Sequence, residues 1–535
     1  MIRLYLMFLK ESSVINRSGK RVTYLHLVES QWNTKRKHST HKFIYSFGKV
    51  TELNREKMLA LAFNILRYLN QGTDGLGIDS EILWSRSYGS VYLIEALLRK
   101  LGVVDTLRDK LRKRHYQSPV TDAVVAMVVN RLVEPMSKLG VEEWVREDVY
   151  FPEGERLELQ HYYRGLDFLE DCKDEIEDEL FWETRTLFNR KVDVIFYDTT
   201  STYVEGAGES ELLEYGYSRD RRSDRKQIVV GLVTDRDGLP VCSSVYPGST
   251  MDIKTVEGML QRVKRFDFER CVFVCDRGMV SEENLEAIEK AEYEYLVGVK
   301  LRGLVEVRDR VLTTRGRYQK VDNSLEVKEV MLEGRRYIIC RNPDEVEHDR
   351  LVRQELVSKL SEELEGDGHS KKQECAIINH PAKKRFVRRL KSGRLVLNKR
   401  RVVEEGRYDG KYVLLTTDRR LEACELALQY KHLFSVERAF RSLKSGINLR
   451  PLYHRTSDRI KAHVSLCVLS YFVQRYVELK TGKSWDVVRK HMNRIPATKI
   501  LLKNGSMVKR SQLTSCQKVV LNQLDTEEPP LILGS

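Results

Sequence analysis

The stretch that decides the fold is Val192-Asp193-Val194-Ile195-Phe196-Tyr197-Asp198-Thr199-Thr200-Ser201. Apolar residues in close succession, bounded by charge and by hydroxyl groups, read as a buried strand. Asp198 ends that apolar run, so its carboxylate is expected to emerge at a sheet edge. Alone, such an Asp is more often a turn former or helix cap than a ligand. Four further β-rich runs follow: Gln227 to Thr234, Leu239 to Tyr246, Cys271 to Cys275 and Glu294 to Val299. Helical segments near 252–265 and 281–291 separate the later ones. Three strands in succession, then helix, strand, helix, strand, is the order of a ribonuclease-H-like α/β core with a mixed sheet.

A second strand ends in the same way. Asp276 closes Cys271-Val272-Phe273-Val274-Cys275 and precedes Arg277-Gly278, where glycine permits close backbone approach or a left-handed turn. If the two strands are neighbours, two carboxylates meet at one edge and repel unless a divalent cation neutralises them. Oxygen donors without His or Cys favour a hard ion, Mg²⁺ or Mn²⁺, over zinc. A third carboxylate, Glu437, lies between Tyr430 and Lys444, each seven residues away. Two helical turns separate each pair, which places the three on one helix face with Arg441 one turn past Glu437. The alternative is an amphipathic helix whose charges pair on solvent.

Around this core the chain organises into segments. Residues 21–48 read as a hairpin with alternating apolar positions around the basic turn Lys35-Arg36-Lys37-His38, followed by a helix from about Asn54 to Leu69. The glycine-rich stretch Gln71 to Gly77 suits a linker. Helical patterning then runs from 88 to 190, with one helix starting at Ser118-Pro119, where Ser can cap and Pro can stand first. Residues 300–417 interrupt the core with strand-like pieces, an acidic amphipathic helix through Leu351, Leu356, Leu360 and Leu364, and a basic block, ending in the strand Tyr412 to Thr416. Long helices follow, from about Arg420 to Lys444 and Asp458 to Thr481. The expected units are therefore 1–71, a helical region at 78–190, core at 191–299, a β-rich insertion at 300–417, core again at 418–482, and a C-terminal segment at 483–535.

With 535 residues the chain is too long for one hydrophobic core. Hydrophobic residues at 41% and charged residues at 32% exclude a disordered polymer. A net charge of +14 favours a polyanionic partner such as nucleic acid. The nine Cys lack zinc-ligand spacing and read as buried free thiols. The apolar runs are too short to span a bilayer, which points to an intracellular, cytoplasmic protein. The run Arg108 to His115 reads as a phosphate contact or a solvated helix face. A denser block, Lys383, Lys384, Arg385, Arg388 and Arg389, continuing to Lys399-Arg400-Arg401, has no acid across 19 residues. Such cations repel one another and gain by replacing counterions on a phosphate backbone.

Tyr197-Asp198-Thr199-Thr200-Ser201, Cys275-Asp276-Arg277-Gly278-Met279, Tyr408-Asp409-Gly410-Lys411-Tyr412 and Val436-Glu437-Arg438-Ala439-Phe440-Arg441-Ser442-Leu443-Lys444 together resemble the DDE transposases of bacterial insertion sequences. The resemblance covers roughly residues 190–475, and is to the branch with a β-rich insertion and a Tyr…Glu…Lys signature. It implies that Asp198, Asp276 and Glu437 hold two Mg²⁺ ions, with Asp198 bridging them. It also implies nicking of inverted-repeat ends in double-stranded DNA, attack of the freed 3′-OH on target DNA, and a homodimer in the synaptic complex. Tyr430 and Lys444 would orient the terminal phosphate. The family's Arg three residues after the Tyr is here Leu433, which is expected to pack inward while Arg441 or Arg438 takes its place. The insertion lacks the Trp that can stack on a flipped base, leaving Tyr318, Tyr337 or Phe386 as substitutes. Recognition of the repeats would fall to residues 1–190. Two other readings are a structure-selective nuclease and a catalytically silent DNA-binding derivative; the second would need a lost carboxylate, and all three are present.

Overall fold

The computed structural model describes residues 7–15, 21–33, 38–53, 58, 61–62, 64–65, 80–115, 118–188, 194–206, 209–268, 271–365, 371–502 and 505–534. It divides into two compact units, Met1–Ser85 with Thr498–Lys509 and Ile532–Ser535, and Arg86–Ala497 with Arg510–Leu531.

In the smaller unit the expected hairpin is the antiparallel pair Arg21–Asn33 and His38–Lys49, in register from Tyr24↔Lys49 to Asn33↔His38. A strand that the sequence reading did not separate, Met7–Ile15, adds to its other edge. The turn at 35–37, most of the helix expected at 54–69 and the linker at 71–77 lie outside the described residues.

The larger unit opens with helices Gly89–Lys100, Val103–Lys113, Val120–Val133, Lys138–Glu147, Leu159–Asp171 and Lys173–Phe188. The helix expected to start at Ser118-Pro119 begins at Val120, with Pro119 at the N-cap and no side-chain cap from Ser118. After these comes a nine-stranded sheet: β1 Val194–Tyr203, β2 Gln227–Asp235, β3 Pro240–Pro247, β4 Val272–Cys275, β5 Glu294–Val299, β6 Gln319–Asp322, β7 Leu325–Leu332, β8 Arg335–Arg341 and β9 Lys411–Thr416. Their spatial order is β6-β7-β8-β9-β5-β4-β1-β2-β3. Pairing is parallel for β1 with β4 and for β4 with β5, and antiparallel elsewhere. The segment β3-β2-β1-β4-β5 is the mixed ribonuclease-H-like sheet expected from the strand order. Four strands from residues 300–417 prolong its edge, and between β8 and β9 the chain leaves the sheet as helices Pro343–Glu365 and Lys371–Asn379, a short hairpin, and helix Lys399–Glu405. That excursion has its own small core of Leu360, Leu364, Ile377, Phe386 and Leu395.

Strand alternation sorts the core into two layers. Ile195, Tyr197, Phe273, Cys275 and Val297 face α1 Val256–Val263 and α2 Glu282–Lys290, burying Val256, Leu260, Leu285 and Ile288. Phe196, Val274 and Leu296 face the other way, against α3 Ala423–Lys431, α4 Phe434–Ser445 and α5 Ser457–Thr481. Asp198 follows Phe196 by two and Asp276 follows Val274 by two, so both acids belong to the side that α4 covers.

Three expectations change here. Asp198 does not end its strand: β1 continues to Tyr203 because its antiparallel pairing with β2 runs on from Asp198↔Leu232 to Tyr203↔Gln227. Thr199, Thr200, Ser201 and Thr202, read as a polar run beyond the strand, are buried within it. The single helix from Arg420 to Lys444 is two, α3 and α4, joined at His432-Leu433. Amides there bond three residues back, Leu433 to Tyr430 and Val436 to Leu433 at 3.1 Å each, tightening the turn and shifting the helical phase. Of the nine free cysteines, Cys375 and Cys516 are exposed and Cys424 half-exposed, against the expectation of burial. Among the described residues no helix is long and apolar enough to cross a membrane.

The connection from β1 to β2 is pinned to the end of α4. Asp220, 4% exposed, accepts from Lys444 Nζ at 2.8 Å and also pairs with Arg450. Burial lowers the Lys444 pKa, and the Asp220 charge opposes that shift. In denaturant unfolding, Asp220→Ala is expected to cost about 3–5 kcal/mol, because it strands two partly buried cations. Leu443→Ala, at a fully buried side chain beneath α4, should cost about 2–5 kcal/mol. Midpoints unchanged in either variant would show that α4 is not held as described.

Candidate active site

Parallel pairing of β1 with β4 ends at Tyr197↔Cys275. The next residue on each strand is therefore one of the two aspartates, side by side on one sheet face. Asp276 stands at the N-cap position of the 3₁₀ turn Arg277–Met279 without a side-chain cap bond, while Asp198 stays within the longer β1. The facing wall is α4, whose buried Val436, Ala439, Phe440 and Leu443 seat it on the sheet and leave Glu437 in its first turn towards the opening. Asp198, Asp276 and Glu437 line one cleft of about 590 Å³, together with Arg277, Tyr430 and Phe434.

Burial pushes the Asp198 carboxyl up to about 7; the charges of Asp276 and Asp252 add to the rise, and the Thr199 amide and Arg219 oppose it. One Asp198 oxygen accepts from the Thr199 amide at 2.7 Å. Hard carboxylate oxygens, with the Asp276 charge set beside a buried Asp198, fit a divalent cation. Among the described residues, however, no three His, Cys, Asp or Glu side chains stand close enough to form a ready metal shell. The acids share a cleft without converging in it.

Tyr430 reaches the same cleft from α3, across the helix junction, and stacks on Tyr412 at 6.0 Å between ring centroids. Burial raises its phenol pKa, Asp276 raises it further, and Arg277 opposes. An added Cβ at Gly298 would meet the Tyr430 hydroxyl, so only glycine leaves that ring its place.

The other signature cations are not gathered with the acids. Lys444 is held by Asp220, two turns beyond Glu437, which is about 10 Å of helical rise. Arg438 pairs with Glu478 at 3.4 Å. Arg441 lies over the Phe434 ring at 5.9 Å and lines a neighbouring cavity of about 460 Å³ with Arg131 and Arg489. Leu433 is buried in the core, as expected.

The basic blocks find acids that local sequence does not show. Lys110 pairs with Glu175, and Arg114 with Asp171 at 2.8 Å. Lys383 pairs with Glu363, Arg385 with Glu405 and Arg389 with Glu374. Lys384 and Arg388 are exposed. Of the proposed stacking substitutes, Tyr337 and Phe386 are 2% exposed and closed to a base. Tyr318 is half-buried, with Lys328 and Arg341 over its ring.

Three charged residues beside the acids escaped the sequence reading. Asp252 accepts from Thr199 Oγ1 at 2.6 Å and from Arg219 Nη2 at 2.7 Å. Both lie in connections whose approach to β1 no local pattern announces. Arg277 was visible only as the neighbour of Asp276.

Compared with solved structures, the chain is similar to a piggyBac transposase synaptic complex with hairpin DNA, at 9% identity and a TM-score of 0.34, over 81% of this chain and 78% of that one. No curated protein sequence matches. The profile of the Transposase DDE domain family matches residues 190–473, more than half of the chain and all of the cleft just described. The chain belongs to the Transposase DDE domain family.

Proposed function

We propose that this protein binds the inverted-repeat ends of a mobile DNA element, cleaves them, and joins the 3′-OH ends to target DNA by metal-dependent phosphoryl transfer. The observation that carries the reading is the lining of one cleft by Asp198, Asp276 and Glu437 within the family-matched region. Asp198 and Asp276 would hold the divalent ions from the sheet, and Glu437 would complete their coordination from α4. Mg²⁺ or Mn²⁺ held there would supply an activated water or 3′-OH at neutral pH and neutralise charge on the phosphate. Tyr430, fixed by Gly298 and Tyr412, positions the strand beside the acids.

DNA held beyond the cleft would meet the exposed Lys384 and Arg388, where phosphate contact releases counterions. Residues 1–190 would read the repeats, and two protomers would bring two ends together.

The experiment is cleavage of a labelled fragment carrying the repeats that flank the gene, in Mg²⁺ and in Mn²⁺. Wild type is expected to cut at the repeat tip. Asp198→Ala, Asp276→Ala and Glu437→Gln should each bring cutting below detection while retaining affinity for the fragment. Cleavage persisting in any one of them would remove that residue from the site.

A further inference from the structure

Arg277 stands directly after Asp276, at the start of the 3₁₀ turn, with its side chain exposed and lining the cleft that holds the three acids. Its Cβ is 3.7 Å from where a Cβ on Gly298 would lie, on the side occupied by Tyr430. The turn is open outward, since a Cβ at Gly278 would meet only Asp252 Oδ2, at 3.8 Å.

The other cations that line the cleft, Lys411 and Lys431, and Arg219 beside Asp198, have partners of their own. Arg219 is held by Asp252 at 2.7 Å, Lys431 by Asp322 at 3.5 Å, and Lys411 donates to the Arg407 carbonyl at 2.9 Å. Lys444 and Arg438 have their own carboxylates. Among the described residues Arg277 has no ion pair or hydrogen bond. A guanidinium at the rim of an acidic cleft and unbonded to those acids keeps its fork of donors for an incoming anion. That fork matches two oxygens of one phosphate, which a lysine cannot do.

We propose that Arg277 grips the DNA backbone at the point of cleavage, holding the phosphodiester beside Asp276 in the cleft where the three acids would hold the ions. This assignment rests on the reading of the protein as a DNA-cleaving transposase. It gives the phosphate contact to the residue beside Asp276, in place of the cations of α4.

The test uses the full chain, the labelled repeat-end fragment, and Arg277→Gln and Arg277→Lys. Single-turnover cleavage by Arg277→Gln should fall about 10- to 100-fold, the loss of a charge-assisted hydrogen bond. Affinity for the long fragment, spread over many contacts, should stay near wild type, and Arg277→Lys should recover only part of the rate. Methylphosphonates placed singly at the phosphates flanking the cut should identify one position whose neutralisation slows wild type but leaves Arg277→Gln unaffected. Wild-type rates in Arg277→Gln, or equal losses for both proteins at every neutralised position, would overturn the assignment while leaving the transposase reading intact. A fragment left uncut by wild type would overturn both.

Discussion

The site depends on the parallel register of β1 against β4, Tyr197 opposite Cys275. Because side chains alternate along a strand, a slip of one residue would turn one aspartate into the opposite layer, among Leu260 and Ile288. The hydrophobic layers on both faces forbid that slip. Ile195, Tyr197, Phe273 and Cys275 are buried on one side and Phe196 and Val274 on the other, each at 2% exposure or less. The repulsion between the neighbouring acids is thus sustained by apolar burial that neither acid provides. Arg219 and the Thr199 amide relieve part of it at Asp198.

Glu437 reaches this pair by a different route. It is carried on a helix whose place is set by Val436, Ala439, Phe440 and Leu443 against the sheet, and whose far end is fixed by Asp220 through Lys444 and Arg450. The tightened turn between α3 and α4 lets Tyr430 and Glu437 share the cleft although they belong to separate helices. The lysine of the signature becomes a tether between α4 and the β1–β2 connection. On the proposed reading, phosphate binding falls to cations without acidic partners, so ion pairing decides more than the count of basic residues.

What was legible in the sequence were features encoded by neighbours in the chain: the apolar runs of β1 to β5, their order, and an acid directly after the apolar runs of β1 and of β4. The extent of β1 was hidden because Thr199 to Thr202 look polar, whereas β-branched hydroxyl residues suit a buried strand once β2 pairs with them. The helix break at His432-Leu433 has no proline or glycine to announce it. Pairing of Lys383 with Glu363 or Arg389 with Glu374 depends on helices folding back over the basic block. Asp252 came to light only in three dimensions, since its meeting with Thr199 and Arg219 requires the sheet to have formed.

The central claim is that Asp198 and Asp276 together bind the catalytic ion. Its most direct test is a Mn²⁺ titration of the full chain, followed by electron paramagnetic resonance, for wild type and the Asp198→Asn Asp276→Asn double variant. Saturable binding in wild type that disappears in the double variant, with the fold preserved, is the predicted result. Binding of Mn²⁺ by the double variant with wild-type affinity and stoichiometry would contradict it.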